Sequence, residues 1–397
     1  MQALRLLHKS LAQALPQMHL TRLRALMASV EGLLRGRELW LSQLGRHLPG
    51  RAKEKHKIKR VDRLLGNANL QHERRPLYQW LARQLLGGCR HPSIIIDWSD
   101  VDAAKTLFIL RAAVSLGGRA LPLYEEVHTR YQHPSDHRRF LDRLTEILPE
   151  GCQPVIVTDA GFRGPWFKDV ESRGWFYLGR VRNRDYARYP GETDWFPVKQ
   201  LYQRATTKPC RIGELWLARS TPWRTYAYVY RKPPGGRHRL TARGTRQCNG
   251  PSEKHARRER EPWLLVSNLP QRRHSAKRVI ALYADRMTIE EAFRDLKASR
   301  HGFAFRLNLG RDANRVANLL LIAALASLVL WLTGLVGIQR NLDRGLQANT
   351  ERRRRVLSIP FVGTRLLDQR IRVLVRELHD ALVTIRNIVS SRNFENA

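Results

Sequence analysis

Up to about residue 88, apolar positions recur at helical spacing, as in HLTRLRALMASVEGLL (19–34), and predict a series of short helices. At His91-Pro92 the pattern shortens. SIIIDWSD (93–100), TLFILRAAVSL (106–116) and RALPLYEEVH (119–128) carry the β-branched and aromatic content of strands, with Gly117-Gly118 marking the turn between the last two. DHRRFLDRLTEILPE (136–150) is an amphipathic helix. PVIVTDAGF (154–162) is a buried strand, and GPWFKDVESRG (164–174) a helix leading into a further strand, WFYLGRVR (175–182). Three strands, a helix, a strand, a helix and a strand suit a mixed α/β sheet with helices on its faces.

Between about 183 and 270 this alternation stops. GELWLARST, TYAYVYRK and PWLLVSNL read as strands around RKPPGGRHRLTARGTRQCNGPSEKHARRERE, which is too basic and too rich in Gly and Pro to fold alone and is expected to be a mobile loop. The region reads as a β-rich insertion. YADRMTIEEAFRDLK (283–297) then predicts a helix, followed by a long apolar segment and an amphipathic C-terminal helix, RIRVLVRELHDALVTIRNIV (370–389).

Charge narrows the partners. The 71 Lys and Arg against 35 Asp and Glu leave +36, spread along the chain rather than gathered in one tail. Nucleic acid is the leading counter-charge and an anionic membrane surface its rival. RAKEKHKIKRVDRLLGN packs seven basic residues into positions 51–63, either a solvated face or the surface of a small DNA-binding domain. Cys89, Cys152, Cys210 and Cys248 stand far apart, which suggests neither a zinc site nor a disulfide framework. The N-terminus lacks the apolar stretch of a signal peptide, so a cytoplasmic protein is expected. VANLLLIAALASLVLWLTGLVGIQ (316–339) is uncharged over 24 residues, long enough to cross a bilayer, yet its flanks are basic on both sides. A helix buried inside a large protein is the favoured reading, since a helix apolar all round lies in either place.

Two acids follow apolar runs: Asp97 after SIII and Asp159 after VIVT. At the carboxyl ends of strands such groups face the crevice where ligands bind, although an Asp there also caps turns. The 283–297 helix offers a third. With Ile289 facing the core, Glu290 lies about 100° away on a shoulder shared with Arg286, Lys297 and Tyr283, while Glu291 lies at about 200°, in solvent. An Arg286–Glu290–Arg294 ladder would explain the charges alone. It does not explain the Tyr and Lys on the same face. Three carboxylates suit Mg²⁺, with Mn²⁺ as a substitute, and phosphoryl transfer on a nucleic-acid backbone.

Tyr283, Arg286, Glu290 and Lys297 form the Y-(2)-R-(3)-E-(6)-K spacing, and with DWSD around Asp97 and TDAGFRGPWF around Asp159 the chain resembles the DDE transposases of bacterial insertion sequences, in the hairpin-forming insertion sequence four family. KHKIKRVDRLLGN near the N-terminus resembles that group too. The resemblance implies a ribonuclease H-like catalytic core with a β-strand insertion before the last acid, and a catalytic, metal-binding triad of Asp97, Asp159 and Glu290. It implies a water-made nick, attack of the 3′-OH on the opposite strand to form a hairpin, hairpin opening, and strand transfer into target DNA. Trp263 falls where the family stacks a tryptophan on a flipped base, Met287 where a side chain enters the vacated space, and Tyr283, Arg286 and Lys297 where DNA phosphate is held. The apolar segment becomes a core helix and the membrane is excluded.

The expected fold is therefore α/β: a helical DNA-binding domain (1–88), a ribonuclease H-like catalytic domain (91–338) with its insertion at about 183–270, and a helical C-terminal region (339–397) suited to dimerisation. The expected partners are double-stranded DNA, as terminal inverted repeats and target, and a second copy of the chain. A nuclease of the same fold without strand transfer, and a non-catalytic DNA-binding derivative, are the rival readings.

Overall fold

The computed structural model describes residues 2–182, 185–233, 245, 261–270, 275–348, 350, 351 and 353–392. The chain divides into two compact units, residues 1–154 with 285–396, and residues 155–284. Most of the insertion tip expected to be a mobile loop lies outside the described residues, as does Cys248.

The first unit opens with five helices: α1 (Gln2–Ala14), α2 (Leu20–Gly36), α3 (Leu41–Arg46), α4 (Glu54–Leu65) and α5 (Ala68–Leu86). α2 ends where Arg37 takes the left-handed conformation and its N–H caps the Leu33 carbonyl. α5 begins on Asn67, whose side chain accepts the Leu70 N–H at 3.0 Å. β1 (Ser93–Asp100), β2 (Phe108–Ser115) and β3 (Ala120–His128) follow as an antiparallel meander. Every residue of β2 is buried, as expected of a central strand covered on both faces. α6 (Pro134–Ile147) starts with proline in its first turn.

The second unit holds β4 (Val155–Thr158), α7 (Gly164–Glu171), β5 (Phe176–Val181), β6 (Tyr186–Arg188), β7 (Phe196–Pro197), β8 (Cys210–Leu217), β9 (Trp223–Tyr230), β10 (Trp263–Ser267) and α8 (Ala276–Ala284). β4 and β5 are parallel and joined by α7. The order is β4-β5-β10-β9-β8-β6-β7, so the strands after residue 183 extend the sheet on β5. Gly179 lets α7 approach: a Cβ there would collide with the Phe167 ring.

The chain then returns to the first unit with α9 (Met287–Lys297), α10 (Ala313–Gln339), α11 (Leu342–Leu346), α12 (Ile359–Asp368) and α13 (Val375–Ser391). α10 is the long apolar segment. Asp312 caps it by accepting the Arg315 N–H at 2.8 Å, and 89% of its most apolar window is buried inside the unit. Its one deeply buried amide, Asn318, is satisfied on both sides. It donates to the Leu65 carbonyl at 2.9 Å and accepts from Arg74 at 3.0 Å, which ties α10 to the end of α4 and to α5.

Candidate active site

Asp97 is not at a strand end. β1 continues through Trp98 and Ser99 to Asp100, with Asp97 opposite Arg111 of β2. The run continues because Trp98 has a place to bury: its ring packs against His128 and His137, and its Nε1 donates to His137 Nε2 at 3.0 Å. Asp97 Oδ1 accepts the Trp98 N–H at 2.8 Å, which orients the carboxylate and leaves Oδ2 for other partners.

The expected single helix over 283–297 is two helices. α8 ends at Ala284 and α9 starts at Met287. Thr288 accounts for the break: both its N–H and its hydroxyl donate to the Asp285 carbonyl, at 3.0 and 2.7 Å, a three-residue pattern that displaces the regular four-residue ladder. Arg286 is thereby placed at the mouth of α9. Its Nη1 donates to Asp97 Oδ2 at 3.1 Å and its Nη2 to Glu290 Oε1 at 2.7 Å. Arg286 and Asp97 are largely buried, at 11% and 15% side-chain exposure, while Glu290 is 46% exposed.

Glu291 is not the solvent residue that helical phase predicts. Its side chain is 27% exposed and pairs with Arg294 at 2.6 Å and Arg119 at 3.5 Å. Arg119 also holds Asp295 at 2.7 Å. The edge of β3 thus supplies a cation to the far shoulder of α9, where phase alone sees only water. The two glutamates separate by partner: Glu290 reaches Asp97 through Arg286, and Glu291 belongs to the arginine cluster.

Lys297, at the end of α9, donates to Ser99 Oγ at 2.7 Å. Burial pulls its pKa down to about 8, against the partial support of Asp100, with Arg306 and Arg111 adding to the depression. Met287 is 41% exposed, and its sulfur lies 3.4 Å from Arg286 Nη2.

In the second unit, Asp159 directly follows β4, and its Oδ1 accepts the Gly161 N–H at 2.8 Å in the turn toward α7. Trp263 opens β10 and is buried edge-to-face against Tyr283, with ring centroids 4.9 Å apart. Tyr230 packs on it at 5.8 Å, and the Lys232 ammonium stands 5.8 Å from its centroid. The first unit therefore brings together Asp97, Arg286, Met287 and Glu290, with Lys297 on Ser99; Asp159, Trp263 and Tyr283 belong to the second.

Sequence reasoning passed over Arg111. It is buried, donates to Glu125 Oε1 from Nε at 2.8 Å and sits 4.2 Å above the Phe293 ring of α9. The register aligns Asp97, Arg111 and Glu125 across β1, β2 and β3. Its signal is an arginine inside the largely apolar FILRAAVS, one strand before the paired glutamates of LPLYEEVH.

Among the described residues no three His, Cys, Asp or Glu side chains cluster closely enough to hold a metal ion. Asp97 and Glu290 nonetheless turn one oxygen each to a single cation, the Arg286 guanidinium. Carboxylate oxygens are the donor chemistry of a hard divalent ion, and these two acids supply that chemistry.

Residues 89–329 match the family described as the Transposase DDE domain. That span covers more than half of the chain, and the chain belongs to this family, whose members act on DNA. A comparison with curated proteins finds no match.

Proposed function

We propose that the chain catalyses cut-and-paste transposition of a bacterial insertion sequence, as a member of the hairpin-forming insertion sequence four group akin to the insertion sequence ten transposase. It nicks the terminal inverted repeats, closes a hairpin on the element's end, opens it and transfers the freed strand to target DNA. The observation that carries the reading is the Arg286 bridge, which joins two acids from distant parts of the sequence inside a matched transposase domain.

Asp97, Asp159 and Glu290 would hold Mg²⁺ or Mn²⁺, which when bound would supply Lewis-acid stabilisation and nucleophile activation for in-line displacement. The chain's own residues position the DNA. Arg286 and Lys297 hold phosphate, the first through a planar fork and the second as a point charge. Tyr283 supports the same phosphate and backs Trp263, which stacks on a flipped base. Exposed Met287 fills the gap the base leaves. The basic helix α4, within a DNA-binding domain over 1–88, reads the terminal repeat. The region 339–397 pairs two copies over the two ends, in a cytoplasmic, nucleoid-associated complex.

Mg²⁺-dependent cleavage of duplexes carrying the element's terminal repeats tests this. Asp97→Ala, Asp159→Ala and Glu290→Ala each abolish cleavage and leave DNA binding intact, and Glu291→Ala cleaves. Trp263→Ala nicks but closes hairpins poorly. Equal loss from Glu291→Ala would remove Glu290 from the triad, and normal hairpin yield from Trp263→Ala would end its stacking role.

A further inference from the structure

We infer that Arg286 is the resident counter-cation of the Asp97–Glu290 carboxylate pair in the DNA-free chain, and that it gives up this place to the divalent ion when DNA phosphate takes its guanidinium. The inference rests on the metal-dependent reading above and adds an order of assembly to it.

An ordinary i,i+4 pair accounts for Arg286 and Glu290, but not for Asp97, which comes from β1. Both terminal nitrogens of the fork are committed, one to each acid, and the Met287 sulfur lies against Nη2. The guanidinium is therefore held on three sides at a largely buried position. The oxygens it occupies, Asp97 Oδ2 and Glu290 Oε1, belong to the two acids a metal needs. A divalent ion there would face a full positive charge one hydrogen-bond length away, and in a partly buried site that repulsion is strong. Arg286 and the metal exclude each other at this spot.

The two acids differ in freedom. Asp97 is set within a paired strand with Oδ1 bonded to the Trp98 N–H, whereas Glu290 stands half in solvent. Releasing Arg286 therefore needs little more than a turn of Glu290 and a new partner for the fork. A phosphodiester offers two oxygens in the geometry a guanidinium prefers. DNA thus draws Arg286 off the carboxylates and opens them to metal, and by linkage metal strengthens the hold on DNA. Without DNA the guanidinium stays on the two acids and the metal site stays closed.

The test measures Mn²⁺ binding to the full DNA-free chain by calorimetry and electron paramagnetic resonance. Arg286→Gln removes the competitor and binds Mn²⁺ at least about tenfold tighter than the wild type. Arg286→Lys, whose single ammonium does not span both acids, shows a smaller gain in the same direction and serves if the Gln variant does not fold. A terminal-repeat duplex raises Mn²⁺ affinity more in the wild type than in either variant. Mn²⁺ binding by both variants no tighter than wild type overturns the inference. Adding Asp97→Asn to Arg286→Gln abolishes the gain. If it does not, the bound ion is elsewhere, and the exchange falls together with the metal role of Asp97, whereas unchanged Mn²⁺ affinity in the Arg286 variants overturns the exchange alone.

Discussion

Arg111 of β2 lies face-on above Phe293 of α9, its guanidinium carbon 4.2 Å from the ring centroid. A salt bridge to Glu125 holds the other side, with both partners at 3% exposure or less. This stack sets the sheet against the helix that carries Glu290, one strand over from Asp97. Burial pushes the Glu125 carboxyl up and Arg111 opposes the rise, so the pair stands by mutual compensation. Arg111→Met leaves a buried acid without its cation, with an expected loss of about 3–5 kcal/mol in urea unfolding. Arg111→Met with Glu125→Leu recovers most of that stability. Because the double variant still lacks the stack on Phe293, its DNA cleavage remains impaired, and recovery of both would make the pair purely structural.

Lys297 predicts an alkaline limit on DNA association. With a pKa near 8 in the free chain, it is charged at neutral pH and loses its charge as pH rises past 8. The pH profile of kcat/KM, which reports the free enzyme, should therefore fall above about pH 8. Lys297→Arg keeps its charge through that range and should remove the fall. A profile unchanged by this substitution would assign the limb to another group.

His137 predicts an acid-side loss of stability. Burial, with a contribution from His128, holds its pKa down to about 4, and its Nε2 must be unprotonated to accept from Trp98. In the unfolded chain a histidine takes its proton near pH 6.5. The folded state favours the neutral ring, so its contribution is whole above about pH 6.5 and drains away as pH falls toward 4. His137→Gln keeps an acceptor that does not titrate, and its melting temperature should decline less than the wild type's between those pH values. Parallel declines would place the acid sensitivity elsewhere.

Gly363 predicts the cost of separating α10 from α12. A Cβ at Gly363 would collide with the Leu330 carbonyl oxygen, and one at Gly334 with the Ile359 carbonyl oxygen. Gly363→Ala should destabilise by about 1–3 kcal/mol through overpacking, although alanine is the better helix former. Gly345, whose Cβ would meet nothing within 4 Å, is the control. Gly345→Ala should be neutral or stabilising in the same unfolding assay.

Much of this architecture was readable because it is local. Short β-branched and aromatic runs located β1–β5, and the apolar periodicity of residues 1–88 located a helical region. Asp159 could be placed after β4 because a four-residue apolar run ending at TDAG stops for turn chemistry alone. Asp97 could not, since whether β1 stops there depends on what Trp98 meets, and His128 and His137 come from later elements.

The same boundary divides the two glutamates. Helical phase depends only on residue number and separates Glu290 from Glu291 without reference to the rest of the chain. Which of them is solvated depends on what packs alongside, and here Arg119 of the β3 edge partly covers Glu291 while Glu290 stays open. Periodicity, charge and spacing are properties of neighbours along the chain. The Arg286 bridge to Asp97, the Arg111 stack on Phe293 and the close passage of α10 over α12 join residues far apart in it. Such contacts arise only when folding brings their partners into one dry, packed volume, where each charge has to find its counter-charge.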